Sequence, residues 1–142
     1  MYSVTKEFKF EAAHCVDGHD GRCRNLHGHS YKVFVTASSK YLNEMEMVID
    51  FKNLKNKCEE LLDTFDHAFM FNSSCKDNFE REIAEVVKRC GRRIIELPFR
   101  STAENLSKYF YNVFNNELKD NSLYISKVTV YETATSYAEY GD

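Results

Sequence analysis

A chain of 142 residues, 43% apolar and 29% charged, has the composition of one globular domain (residues 1–142) large enough to bury a core. The formal net charge of -3 argues against a dedicated nucleic-acid binder, which carries a basic face, but leaves room for a local basic pocket. The opening MYSVTKEFKF has no long apolar run and does not read as a signal peptide, and no later stretch is apolar for long enough to span a bilayer.

The five cysteines are Cys15, Cys23, Cys58, Cys75 and Cys90. An odd count without an export signal reads as reduced thiols in the cytoplasm rather than a disulfide framework. Cys58 and Cys90 fall in helical patterns, as small core residues.

Residues 4–14 alternate, with Phe8, Phe10, Ala12 and His14 on one face and Lys9, Glu11 and Ala13 on the other. That period of two predicts a strand. Asp17, Gly18, Asp20 and Gly21 mark a loop over residues 15–26. Residues 27–38 read as a second strand, with His27, His29, Tyr31, Val33 and Val35 on one face. Met47, Val48 and Ile49 suggest a short strand or strand end.

Asp50 then has the place of a helix N-cap, followed by Phe51, Leu54, Cys58, Leu61, Leu62 and Phe65 at helical spacing. A weaker helix over residues 79–90 runs through Ile83, Val86, Val87 and Cys90, and Gly91 ends it. Ile94, Ile95 and Leu97 form a short strand stopped by Pro98. Ser101 and Glu104 have the spacing of a capping box that opens a helix through Leu106, Tyr109, Phe110, Val113 and Phe114. Residues 124–133 form the last expected strand, with Val128, Val130 and Glu132 on one face. The order predicts an α+β domain, an antiparallel sheet with helices on one face. The other face is left to solvent or to a second subunit.

His27 and His29, two apart on a strand, leave the same face. If the first two strands are antiparallel neighbours, the end of the first brings His14 beside them. Three imidazoles with an open position suit a catalytic Zn²⁺. Each histidine taken alone would read as an ordinary strand residue; three converging do not. A closed structural site with Cys23 as fourth ligand is the second alternative. His19, in a loop with Gly18 and Gly21 nearby, ranks lower as a ligand.

Phe10-Glu11-Ala12-Ala13-His14, then Cys23 and, after three residues, His27-Gly28-His29, resemble the 6-pyruvoyltetrahydropterin synthase superfamily. Asp66-His67, Ser101-Thr102-Ala103-Glu104-Asn105 and Val130-Tyr131-Glu132-Thr133 continue the resemblance over nearly the whole chain. The spacing of Cys23 from His27 resembles the 6-carboxytetrahydropterin synthase branch, which serves queuosine and other 7-deazapurines. The pyruvoyl-forming branch typically has a longer gap. Arg24, Asn25 and Leu26 stand where folate-serving relatives use a Glu. Cys15 departs from the family, which often has a basic residue there, and the loop between His14 and Cys23 is short.

The resemblance implies the tunnelling fold: a four-stranded antiparallel sheet per subunit, three subunits closing a barrel, and two barrels stacked as a homohexamer. It implies a lyase acting on 7,8-dihydroneopterin triphosphate. The open Zn²⁺ would bind the substrate's two side-chain hydroxyls. Cys23 is the candidate base, its thiol activated by nearby positive charge. His67 would act as acid or base on the opposite side, oriented by Asp66, although adjacent residues touch only across a turn. As plain strand and helix-end residues, Asp66 and His67 would simply be solvated.

Glu132 ends an apolar strand face, a costly place for an unpaired charge. The resemblance gives it the bidentate anchoring of the pterin amine and ring N–H; pairing to Lys127 is the plain alternative. Thr102 and Glu104 match a segment that lines the pterin pocket. Lys9, Arg22, Arg24 and Lys32 are available to the triphosphate, and nothing in the sequence chooses among them.

Overall fold

The computed structural model describes residues 1–142. The two predicted N-terminal strands are long and fully paired. β1 (Tyr2–His14) and β2 (His27–Ser39) run antiparallel from Tyr2 opposite Ser39 to His14 opposite His27. β2 pairs on its other side with β5 (Leu123–Tyr131), and β5 with β6 (Tyr137–Gly141), both antiparallel. These four strands are antiparallel, and β6 was not among the strands expected from the sequence.

The sheet does not stop there. β3 (Ala68–Asn72) lies parallel to the end of β1, and β4 (Ile94–Leu97) lies parallel to β3. The sheet is therefore mixed and six-stranded, in the order β4-β3-β1-β2-β5-β6. The α+β class holds; the strand count of four does not. β3 escaped the sequence reading because all five of its residues are buried, so it shows no alternation. Met47–Ile49 is not a strand. The Asn43 side chain accepts from the N–H groups of Met45 and Met47 and bends the chain there.

α1 (Phe51–Phe65) starts where Asp50 accepts from the N–H of Lys52 at 2.8 Å, and it buries Leu54, Cys58, Leu62 and Phe65. α3 (Ala103–Leu118) buries Leu106, Phe110, Phe114 and Leu118. Its cap is Thr102, which accepts from Asn105 N–H; the expected Ser101–Glu104 box is displaced by one residue, because the Ser101 side chain is engaged elsewhere. α1 and α3 cover one face of the sheet. Phe10 stacks on Tyr31 at 4.8 Å between ring centres and meets Phe65 and Phe110 edge-on or tilted. Each such buried ring contributes about 1.5–3 kcal/mol.

α2 (Asn78–Arg89) takes the opposite face, at the β3–β4 end. Met70 of β3 joins the main core, while Phe69 and Phe71 turn the other way, toward Ala84 of α2, Cys15 and Cys75. One helix of three thus departs from the one-face expectation. Its buried residues are Glu80 and Ala84, not Val86 or Cys90, which are exposed; Gly91 ends it at φ +66° as expected. The remainder of that second face carries charged pairs, Lys32 beside Glu7 and Lys127 beside Glu139, and the aromatic rings of Phe34, Tyr131 and Tyr137. No helix is long and apolar enough to cross a membrane.

Candidate active site

The antiparallel register does what the sequence spacing required. His14 ends β1 directly opposite His27, which opens β2, and His29 follows on the same face. Glu132, just past the end of β5, completes the group. Ligand-competent atoms of His14, His27, His29 and Glu132 all lie within 4.8 Å of one another. His14 Nε2 is 3.1 Å from His27 Nε2, and Glu132 Oε1 is 2.7 Å from His29 Nε2 and 3.5 Å from His14 Nε2. Gly28 between the two histidines is needed for this closeness. A Cβ there would sit 3.0 Å from the Ala12 carbonyl oxygen, tighter than such contacts normally are.

The outer edges of the rings decide what the inner edges can do. His27 Nδ1 donates to the Asn25 carbonyl at 2.7 Å, and His14 Nδ1 lies 3.0 Å from the Ser101 carbonyl. A carbonyl only accepts, so His27 carries its proton on Nδ1 and turns a bare Nε2 lone pair inward, while the Ser101 hydroxyl, 2.9 Å from His14 Nδ1 and able to donate or accept, admits either tautomer of His14. His29 Nε2 is buried and makes no well-directed hydrogen bond, despite its short approach to Glu132. Burial holds the His29 imidazole below its ordinary pKa. Hydrogen bonding to His14 holds the Glu132 carboxyl below its own, against the opposing effect of burial. Three imidazoles and a carboxylate with converging ligand atoms form a donor set that suits a divalent cation.

Glu132 does not pair with Lys127, whose partner is Glu139. Cys23 lies in a single 3-10 turn, Arg22–Arg24, where it is half-buried and its carbonyl accepts from Val16 N–H. Its thiol is outside the ligand group, whose fourth member is Glu132. His19 is also outside the group; its Nδ1 accepts from Gly21 N–H.

Asp66 and His67 do touch, across the turn that adjacency demanded. His67 adopts φ +58°, and its Nδ1 lies 2.9 Å from Asp66 Oδ2. Both residues are held to β1, because Asp66 Oδ1 accepts from Glu11 N–H and His67 N–H donates to the Glu11 carbonyl. These bonds hold the Asp66 carboxyl below its usual pKa, the Glu11 N–H first and the His67 side chain second. No side-chain hydrogen bond joins the pair to the histidine group. His67 is largely exposed and lines an open groove of about 620 Å³ together with Glu11, His29, Ser30, Arg92 and Arg93. Thr102 is committed to capping α3, and Glu104 is exposed in the first turn of that helix.

Among the basic candidates, Lys32 pairs with Glu7, and Arg24 borders a polar hollow with Asp17, His19, Asn25 and Asp77. Sequence reasoning missed Ser101, whose side chain and carbonyl both back His14. Its place beside the Thr102–Glu104 segment was the only signal. It also missed Arg100, whose Nε donates to the Asp17 carbonyl at 2.6 Å and ties the histidine loop to the start of α3.

The family model described as 6-pyruvoyl tetrahydropterin synthase matches residues 3–142. The chain belongs to this family. Among 6-pyruvoyl tetrahydropterin synthase relatives, a Haemophilus influenzae protein named 6-carboxy-5,6,7,8-tetrahydropterin synthase is 39% identical over 144 residues, covering 99% of each chain. A protein of the same name from Aquifex aeolicus is 35% identical, covering 98% of this chain and 97% of its own. An uncharacterized Wolinella succinogenes protein shares the fold, with a TM-score of 0.82 over 99% and 98% of the two chains at 22% identity. The Plasmodium falciparum 6-pyruvoyl tetrahydropterin synthase superposes with a TM-score of 0.73 over 99% and 97% at 25% identity. With its full-length relatives named 6-carboxy-5,6,7,8-tetrahydropterin synthase, the chain is a lyase-type enzyme of this family.

Proposed function

We propose that this chain is a zinc-dependent carbon–carbon lyase. It converts 7,8-dihydroneopterin triphosphate and one water to 6-carboxy-5,6,7,8-tetrahydropterin, acetaldehyde and triphosphate, in 7-deazapurine (queuosine) biosynthesis in the cytoplasm. The observation that carries this reading is the partly buried group of three histidines and Glu132, in a chain akin along its full length to proteins of that name. Five free cysteines accord with a reducing compartment.

His14, His27 and His29 would hold the zinc through Nε2. Bound there, zinc would supply acidity to the substrate's side-chain hydroxyls. The residues do the rest. Cys23, half-buried on the turn that leads into His27, removes a carbon-bound proton as general base. His67 returns or removes a proton from the other side, and Asp66 fixes its ring through Nδ1, leaving Nε2 as the working atom. Glu132 accepts from the pterin amine and ring N–H, and its depressed pKa keeps it an acceptor. Thr102 and Glu104 border the pterin from the start of α3. His67 pairs with Asp66 and makes no hydrogen bond to the histidine group within one chain, and the working site is read as one shared between subunits of a homohexamer.

The test is a product assay. Zinc-loaded protein is mixed with dihydroneopterin triphosphate, and the pterins and acetaldehyde are identified by mass spectrometry. Carboxytetrahydropterin with acetaldehyde is expected. Pyruvoyltetrahydropterin as sole product would overturn the branch and keep the family. A Cys23-ligated structural zinc site is disfavoured by the position of the Cys23 thiol outside the ligand group.

A further inference from the structure

Ser101 has no part in the chemistry above, yet it is only 1% exposed, and both of its oxygens face one nitrogen of His14. The hydroxyl lies 2.9 Å and the carbonyl 3.0 Å from His14 Nδ1. The Tyr31 hydroxyl is more distant, at 3.5 Å. A carbonyl can only accept, so it favours a proton on Nδ1. A hydroxyl can accept or donate, so it tolerates either tautomer. His27 has no such choice: its Nδ1 meets the Asn25 carbonyl alone, which leaves a lone pair on Nε2.

At the other edge of the His14 ring, Nε2 faces that His27 lone pair at 3.1 Å and the Glu132 carboxylate at 3.5 Å. A cation between them needs a lone pair on His14 Nε2. Without a cation, three electron-rich atoms meet in a buried space, where repulsion is poorly screened. Moving the His14 proton from Nδ1 to Nε2 converts both repulsions into attractions. The move leaves a lone pair on Nδ1 against the Ser101 carbonyl. The Ser101 hydroxyl offsets this when it turns its proton to Nδ1.

We propose that Ser101 is a positioning residue that serves both forms of the centre: its carbonyl holds His14 in the metal-binding Nδ1–H tautomer, and its hydroxyl holds the metal-free Nε2–H tautomer. The inference rests on the reading of the histidine group as a metal site. It makes the hydroxyl a competitor of the metal. It also ties the first residues of α3, beginning at the Thr102 cap, to the readiness of His14 to bind.

The deciding measurement is nitrogen-15 NMR of the histidine rings at about pH 8, above the ordinary imidazole range. In metal-free wild-type protein His14 is expected to carry its proton on Nε2, and added zinc should move it to Nδ1. In Ser101→Ala the metal-free ring should already carry its proton on Nδ1, and zinc should bind several-fold more tightly by competition with a chelating dye. Ser101→Thr, which keeps the hydroxyl, should restore the wild-type tautomer and affinity. Tyr31→Phe should leave the tautomer unchanged.

A metal-free wild-type His14 protonated on Nδ1 would overturn the proposal, as would weaker zinc binding by folded Ser101→Ala. If Ser101→Ala does not fold, the wild-type and Ser101→Thr tautomers decide alone. Wild-type protein that folds but takes up no zinc would overturn the metal reading. The role of the hydroxyl would then stand or fall on the metal-free tautomer.

Discussion

At the scale of single residues, Cys23 and Glu132 carry different burdens and should fail differently. Cys23 lies outside the ligand group, so Cys23→Ala should retain zinc and lose about 10²–10⁴ in kcat, the usual worth of a general base. Loss of zinc on that substitution, read by metal analysis, would instead make the thiol a ligand. Glu132 stands inside the group. Glu132→Gln keeps its shape but cannot accept twice from the pterin, so KM should rise. Zinc should be retained on the three histidines, with affinity weakened by about tenfold through the altered surroundings.

The cysteines also differ from one another in a way that can be read directly. Burial pushes the Cys15 and Cys58 thiols up to about 12 and raises Cys75 as well. A thiol above its ordinary range is a thiol, not a thiolate, and reacts slowly. Native protein treated with an alkylating reagent near neutral pH should be modified at the exposed Cys90 and half-buried Cys23, and spared at Cys15, Cys58 and Cys75. Peptide mass spectrometry checks this. Modification of Cys15 before Cys90 would contradict the packing of Cys15 beneath α2. The departure of Cys15 from the family pattern thus belongs to this second core, with Phe69 and Phe71, rather than to the histidine centre.

At the scale of elements, the Asp66–His67 corner joins α1 to β3 and docks both on β1. The folded carboxyl of Asp66 is held below its unfolded pKa by Glu11 N–H and His67. A depressed carboxylate contributes stability that is fully present above the unfolded value, about 3.9, and is lost as pH falls through the folded value. Asp66→Asn should therefore unfold more readily than wild type above about pH 5, and the two acid-denaturation curves should converge below about pH 3. A constant gap across that range would mean the carboxylate charge has no part in the corner. The side chain is partly exposed, so the effect is modest.

The sequence exposed those elements whose burial is periodic. β1, β2, α1, α3 and the core of β5 present one apolar face each, and their alternation or helical spacing survives in the structure. β3 is buried on both faces and β6 is an exposed edge strand, so neither shows the period that a half-buried strand shows. The histidine triad was legible because strand period and antiparallel register are local rules that place His14, His27 and His29 on one face. Glu132 could be read as an expensive strand-end charge, but not as a member of that triad. Its position depends on β5 pairing with β2, some hundred residues apart in the chain. Ser101 was read as a cap, since nothing local distinguishes a cap serine from one that reaches back to His14.

At the scale of the whole molecule, the sheet remains open. β4 and β6 each have a neighbour on only one side. Unpaired strand edges invite association, and closed barrels remove them. The uncovered part of the second face carries both charged pairs and an aromatic run, Phe34 to Tyr131 at 5.5 Å and Tyr131 to Tyr137 at 4.6 Å between ring centres. Both features are accounted for together if three chains close a barrel and two barrels stack. Sedimentation equilibrium should then give six times the 16.6 kDa chain mass. Mixing inactive Cys23→Ala with inactive His67→Ala should restore part of the activity, because some shared sites then receive an intact residue from each chain. A monomer at micromolar concentration would remove the shared site. A hexamer whose mixed variants stay inactive would place Cys23 and His67 of each working site on the same chain.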